Sequence, residues 1–114
     1  MLLRLALMTA GIVMLAGGPA GAGAVGIKDW LQMRLTVAEA EAAHMVRNDW
    51  LGPDPVPFGF VNGKWRALLS EMQDGDELWA FSSSRESWAH LGGRAGIALV
   101  RAGEVVDTLV TARN

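Results

Sequence analysis

A stretch of 23 residues without a charged side chain, between Arg4 and Lys28, divides this 114-residue chain into two unequal parts. Residues 5–16 form an apolar run, and the Gly-Gly-Pro sequence that follows stops any helix. A basic start, an apolar core and a small-residue exit are typical of a secretory signal peptide. The sequence therefore predicts a targeting segment over residues 1–24 and a single small domain over residues 25–114.

Two membrane-directed outcomes for this leader stay open, beside the remaining interpretation of a misassigned start or a cytosolic chain. The pattern Ala22-Gly23-Ala24 predicts cleavage before Val25, and Ala20-Gly21-Ala22 offers an alternative site one step earlier. The second outcome is an uncleaved anchor, in which residues 5–27 contact the membrane. Residues 17–26 argue against it, because they are almost all Gly, Ala and Pro and contribute little to transfer into lipid. Either outcome places the domain outside the cytoplasm: periplasmic or secreted, or anchored in the inner membrane.

The composition of the remaining chain excludes several classes of protein. Residues 25–114 carry nine basic and twelve acidic side chains, a formal charge of −3, with no basic stripe, so nucleic acid is not an expected partner. The absence of cysteine excludes disulfides and thiolate metal sites. Five tryptophans and three phenylalanines must then supply the core, because each buries about 150–250 Å².

Hydrophobic spacing predicts three helices. The first covers Ile27 to Trp50, because apolar residues recur there at steps of four and three: Leu31, Leu35, Ala38, Ala42 and Met45. The second starts with Asn62 as its N-cap and carries Trp65, Leu68, Leu69 and Met72 on one face. The third follows the capping-box spacing of Ser83 and Glu86 and ends at Gly92-Gly93. Three prolines make residues 51–61 a connector, which Phe58 and Phe60 are expected to pin to the core.

Three strands complete the expected fold. The pattern of residues 77–82, which are apolar on both faces, predicts a central strand. The pattern of residues 95–101 and 104–111 predicts a hairpin closed by Ala102-Gly103. The resulting order is α-α-β-α-β-β. This order predicts an α+β fold, with a three-stranded, mostly antiparallel sheet and helices on one face.

The last third of the chain resembles a small family of uncharacterised bacterial proteins. The shared pattern runs G-D-E-L-W-x-F-S-S, S-W, L-x-G-R-x-G and L-V-R-x-G, and it occurs here as Gly75–Trp79, Phe81–Ser83, Ser87-Trp88, Leu91, Gly93-Arg94, Gly96, Leu99–Arg101 and Gly103. The chain departs from it at Ser82-Ser83-Ser84-Arg85, where a Ser-Ser-Pro-Pro-like turn is expected. The resemblance covers about a third of the chain and implies a fold but no chemistry.

The same third contains the ingredients of two kinds of site. Ser83, Ser84 and His90 could supply a nucleophile and its base in a small hydrolase or transferase, although no Gly-x-Ser-x-Gly elbow is present. Helix capping is the simpler role for these serines. Arg85 and Arg94 are candidate contacts for an anion near the start of the third helix.

Glu41 and His44 have the spacing of metal ligands on a helix. One such pair is not a site, and a copper site that adds Met33, Met45 or Met72 competes with the usual role of methionine as core filler. No metal and no cofactor is therefore expected.

The favoured function is a non-enzymatic binding or accessory protein that uses surplus aromatic residues. Trp50, Phe58, Phe60 and Trp79 are the candidate contacts for an unknown protein partner, through an exposed patch or the hairpin edge. Two alternatives remain: the hydrolase or transferase described above, and a membrane-anchored structural protein that forms homodimers through its last strand or its first helix.

Overall fold

Four antiparallel strands form the centre of the fold in the computed structural model, which describes residues 26–114. In chain order the helices and strands are β1 (Leu31–Leu35), α1 (Val37–Ala42), β2 (Met45–Val46), β3 (Val56–Pro57), α2 (Asn62–Ser70), β4 (Glu77–Ser82), α3 (Arg85–Ala89), β5 (Arg94–Arg101) and β6 (Glu104–Arg113). The sheet has the order β1-β4-β5-β6, and β2 and β3 form a separate two-stranded sheet. The expected targeting segment, residues 1–24, lies outside the described residues.

The C-terminal hairpin confirms the prediction made from its turn. Ala102 and Gly103 both have positive φ, 52° and 81°, as a two-residue type I′ turn requires. Arg101 pairs with Glu104 on either side of this turn, and the two strands then remain paired as far as Arg94 and Arg113. The α+β class and the mostly antiparallel sheet are therefore correct, whereas the sheet has four strands and not the expected three.

One face of the sheet holds the larger part of the core. Leu78, Ile97, Leu99 and Leu109 point to this face and are buried against Trp65 and Leu68 of α2, together with Ala40 of α1 and Phe58. Helix α2 therefore docks as its hydrophobic spacing predicts. Burying a Leu or Phe side chain contributes about 1.5–3 kcal/mol, so this layer supplies most of the stabilising contact area.

The opposite face is covered by a short segment at the start of the described chain. Phe81, Ala98 and Val100 lie on this face, and the 3₁₀ turn Ile27–Trp30 packs over them. The alternation along β4 explains the arrangement, because successive side chains of a strand point to opposite faces. A central strand that is apolar on both faces needs cover on both.

The long helix predicted over Ile27 to Trp50 is wrong. The segment instead forms a 3₁₀ turn, strand β1, the six-residue helix α1 and strand β2. The break occurs at Thr36, whose hydroxyl accepts from the amide of Glu39 at 3.0 Å while the Glu39 carboxylate accepts from the Thr36 amide at 2.9 Å. This reciprocal capping box starts a helix at residue 37, and the chain before it is free to pair with β4.

Two smaller expectations also need correction. Asn62 is the first residue of α2 and not its cap, because its side-chain amide donates instead to the carbonyl of Pro57 at 2.9 Å. Ser84, and not Ser83, caps α3 by accepting from the amide of Ser87 at 3.1 Å. Each correction moves a helix boundary by one residue and leaves the helix in place.

Every register shift in the four-stranded sheet adds a residue to an edge strand. The extra residue of β1 is Gln32, and the extra residues of β6 are Val106 and Thr111. Bulges of this kind twist an edge away from a second chain and discourage edge-to-edge pairing. Dimerisation through the last strand, one of the alternatives from the sequence, stays a prediction, and a second chain would have to pair with a strand that carries two of these bulges.

Candidate functional site

Residues 45–61, which we call the aromatic segment, carry an unusual share of exposed apolar surface. Of the six large apolar side chains that are exposed in the described chain, three lie here: Met45 at 46%, Trp50 at 89% and Phe60 at 67%. Phe60 was expected to pin the connector to the core and points to solvent instead. A tryptophan of this exposure is a candidate contact for a partner, because it leaves a large apolar ring in water.

Local hydrogen bonds fix the backbone that presents Trp50. The Asn48 side chain accepts from the Trp50 amide at 2.9 Å, and Arg47 Nη1 donates to the carbonyl of Pro53 at 2.9 Å across the loop. The strands β2 and β3 close the base of this loop. The ring of Trp50 is thus displayed on a braced turn, which reduces the entropy lost when a partner binds it.

An aromatic stack anchors the segment to the core. The His44 and Phe58 rings stack with centroids 4.5 Å apart, and Phe58 lies 4.4 Å from the Trp65 ring. The Phe58 backbone has φ of 61°, in the left-handed region that residues other than glycine rarely adopt. The conformation is stabilised because the ring is held on both sides. Phe58, a candidate partner contact from the sequence, is therefore a core residue.

A tight contact joins the two ends of the segment. Gly59 lies so close to Val46 that a Cβ at position 59 would come within 2.9 Å of the valine side chain. Since Gly59 also has a positive φ of 53°, only glycine fits both requirements. The segment thereby returns the chain to α2 with Phe60 on its outer side.

A groove of about 320 Å³ lies beside the aromatic segment. Its walls include the His44 and Phe58 rings, Met45 and, from the main sheet, Val110 and Thr111. This volume is at the lower end of the range for small-molecule pockets, and polar and apolar atoms line the groove in about equal measure. The groove and the exposed aromatic rings belong to the same segment, so we treat the segment as the candidate functional site.

The structure gives Glu41 and His44 roles other than metal binding. The Glu41 carboxylate accepts from the Trp65 indole at 2.8 Å. His44 Nδ1 donates to the carbonyl of Ala40 at 2.9 Å, while the ring stacks on Phe58. Within residues 26–114 no three His, Asp or Glu side chains are grouped as metal ligands. The pair supports the aromatic stack.

The serines near α3 form a closed hydrogen-bond network. Ser87 Oγ donates to the Ser84 carbonyl at 2.7 Å, so Ser83 Oγ must donate to Ser87 Oγ at 2.6 Å. Ser83 also accepts from the amide of Arg94 at 2.9 Å and is only 6% exposed. His90 is exposed at the end of α3 and makes no side-chain hydrogen bond to these serines. The geometry therefore favours capping and bracing over nucleophilic catalysis.

The two arginines proposed as anion contacts have different surroundings. Arg85 is exposed at the start of α3, a helix of five residues. Arg94 is half-buried, with its Cζ 5.2 Å from the centroid of the Trp30 ring. Neither arginine forms an ion pair with a carboxylate of the described chain. Trp79, the last candidate contact, is half-buried, and its indole donates to Glu77 at 2.9 Å.

A charged cluster at the far end of α2 was not anticipated from the sequence. Arg101 makes a bidentate pair with Asp76, at 3.0 and 2.8 Å, and these hydrogen bonds hold the pKa of Asp76 below its usual range. Hydrogen bonding to Asp107 raises the pKa of the Glu71 carboxyl. The sequence offered no signal for this cluster, because its members come from four separate places: the end of α2, the loop before β4, β5 and β6.

In the part of the chain that is described, no helix is long and apolar enough to cross a bilayer. Comparisons of the chain with family models, with curated proteins and with solved structures found no match. The resemblance to a small bacterial family therefore stays a prediction, and the function must be argued from the geometry of this chain alone.

Proposed function

We propose that this chain is a non-enzymatic binding protein that acts outside the cytoplasm and holds a protein partner through the aromatic segment. The observation that carries the proposal is Trp50, an 89% exposed tryptophan on a turn braced by Asn48 and by the Arg47 contact with Pro53. Tryptophan is one of the three residue types, with tyrosine and arginine, that are enriched among the residues dominating binding energy at protein interfaces.

The chemistry of the segment favours a protein over other partners. Asp49 and Asp54 flank Trp50, and Arg47, the one basic side chain in residues 45–61, is already bonded to a carbonyl. A nucleic acid or an anionic lipid surface would be repelled by these carboxylates. A partner with an apolar pocket and basic residues at its rim fits the segment better.

Export is the second half of the proposal. It is supported by the charge-free leader between Arg4 and Lys28 and by the small residues before Val25. Intact mass and N-terminal sequencing of the protein recovered from its own host test this half. A chain that begins at Val25 or Gly23 is expected; an intact leader on protein recovered from the soluble cytoplasmic fraction would contradict export.

The binding half is tested by co-purification of the tagged full-length chain with variants that change only exposed rings. Trp50→Ala and Phe60→Ala should each lose a partner that the unchanged chain retains, with a loss of affinity of about tenfold or more for a central tryptophan. Leu91→Ala is the matched control, because Leu91 is 76% exposed but lies outside the segment.

The co-purification has one result that supports the proposal and one that contradicts it. A partner that is lost in both segment variants and retained by Leu91→Ala supports the proposal. A partner retained at full affinity by Trp50→Ala, with unchanged thermal stability, means that binding uses another surface. Circular dichroism of each variant confirms that the fold is intact.

A further inference from the structure

A cleft with a volume of about 350 Å³ lies between helix α2 and the edge strand β6. Leu68 of α2 and Leu109 of β6 line its inner side, and both belong to the packed core. Because core side chains are closely packed, the fold keeps this side of the cleft in place. The volume lies within the range of small-molecule sites.

Two basic side chains line this cleft from its two walls. Lys64 belongs to the first half of α2, and Arg113 is the last residue of β6. Both are exposed, and within residues 26–114 neither forms an ion pair with a carboxylate. An ammonium group has three N–H donors and a guanidinium group has five, so both walls offer charged donors to a ligand.

The acidic side chain that also lines the cleft is directed to other groups. Asp107 Oδ1 accepts from the amide of Thr108 at 2.8 Å, and the Asp107 side chain also hydrogen bonds to the Glu71 carboxyl. Glu71 follows Lys64 by seven residues, which is about two helical turns. The cleft therefore has a cationic end at Lys64 and an acidic end at Asp107.

The cationic end contrasts with the charge of the whole chain, which is formally −2. A cleft lined by charges of one sign raises the local concentration of ions of the opposite sign. Arg113 cannot relieve its repulsion with Lys64 by losing a proton, because arginine stays charged in proteins. An anion that accepts from both side chains removes this repulsion.

We infer that this cleft binds a small organic anion, whose carboxylate or phosphate head accepts from Lys64 and Arg113 and whose apolar body packs on Ala67 and Val110. Polar and apolar atoms line the cleft in similar measure, as a ligand with two such parts requires. The charge-assisted hydrogen bonds to the head are about twice as strong as neutral ones. The cleft borders the groove of the aromatic segment at Val110 but uses none of the exposed rings, so it is independent of the proposed protein partner.

The test is a titration of the ¹⁵N-labelled full-length chain in an uncharged detergent, followed through its assigned backbone amides. Sodium butyrate is added against sodium chloride at equal ionic strength, with butyramide as the uncharged analogue and acetate as the analogue with a shorter body. We expect saturable shifts of the amides of residues 64–68 and 107–113 with butyrate, weaker binding of acetate and no binding of butyramide. A parallel titration with propyl phosphate distinguishes the two heads, because the anion that binds more tightly carries the preferred one.

Variants of single basic residues separate a site from a general salt effect. Lys64→Gln and Arg113→Gln should each weaken butyrate binding about tenfold, because each removes a charge-assisted hydrogen bond. Arg66→Gln is the matched control and should leave binding unchanged, since Arg66 is an exposed cation on α2 that does not line the cleft. Shifts that never saturate, that butyramide reproduces, or that persist unchanged in both Lys64→Gln and Arg113→Gln would overturn the inference. Acetate binding as tight as that of butyrate would contradict it too, because the apolar body would then make no contact.

Discussion

Trp65 and Trp50 are both tryptophans and lie only fifteen positions apart, but their surroundings are opposite. Trp65 is fully buried, stacks near Phe58 and donates its N–H to Glu41. Trp50 is 89% exposed on a braced turn and contributes no comparable contact to the core. Helical spacing marks Trp65 as a core residue, whereas nothing in the local sequence of Trp50 requires it to be buried.

The difference between the two tryptophans shows that one part of this small domain stabilises the fold, while another part exposes surface that a partner could bind. The packed face between α2 and the sheet stabilises the fold, and the aromatic segment adds exposed surface that folding does not need. Since the net stability of a domain of this size is about 5–10 kcal/mol, one buried ring accounts for a large part of it. The following four experiments test this division, from the largest expected effect to the smallest.

Trp65→Ala should cause the largest loss. Removing a fully buried tryptophan leaves a cavity and costs about 3–5 kcal/mol, which brings the domain close to unfolding at room temperature. Urea unfolding followed by circular dichroism measures this loss. A variant that loses less than about 1 kcal/mol would mean that Trp65 does not organise the core.

Glu41→Ala should destabilise the protein by about 1–3 kcal/mol, because it leaves the Trp65 indole without an acceptor in the core. Glu41→Gln is the matched control, since its amide oxygen can still accept this hydrogen bond. The two variants are compared by urea unfolding. An equal loss in both would show that the negative charge, and not the acceptor, is required.

Lowering the pH should reduce the free energy of unfolding, because protonation of Asp76 removes its ion pair with Arg101. Its pKa is held low by Arg101, so its contribution is present above the ordinary Asp pKa, near pH ~3.9, and is lost as the pH falls through the folded value. Asp76→Asn should therefore be less stable than the unchanged chain at pH 7, and the difference should shrink as the pH falls below the ordinary Asp pKa of about 3.9. Thermal unfolding across this range checks the sign. A difference that is constant with pH would contradict it.

Trp50→Ala should have the smallest effect on stability, within about 0.5 kcal/mol, because the side chain is almost fully exposed. Thermal unfolding beside Trp65→Ala gives the comparison directly. A loss above about 1.5 kcal/mol would place Trp50 in the folding core and would remove the main support for the aromatic segment as a binding surface.

The second half of the chain could be predicted from sequence because its signals are local. The strand Glu77–Ser82 has the expected bounds, and the hairpin at Ala102-Gly103 follows from turn chemistry. The caps and glycines around α3 likewise act within a few residues. Export, partner and family remain predictions, since the described structure tests none of them.

The candidate site was predicted only in part. Trp50 and Phe60 were named from the surplus of aromatic residues, but Phe58 was named with them and lies in the core. The Trp30 and Arg94 pair brings together residues 64 positions apart in the chain. No local pattern encodes such a pair, because only the fold of the sheet brings the two side chains into contact.

What the sequence determined by itself were the elements whose hydrogen bonds and apolar faces are local: α2, β4, α3 and the β5–β6 hairpin. Only the tertiary structure decided the conformation of residues 27–50, where the spacing of Leu31 and Leu35 fits a helix but the bulge at Gln32 places these two side chains on opposite faces of the sheet. The physical reason is that β4 offered a free row of backbone donors and acceptors. Pairing with it gave residues 31–35 the hydrogen bonds that a longer helix would have supplied, and it moved the edge of the sheet from β4 to β1, where the bulge at Gln32 disrupts it.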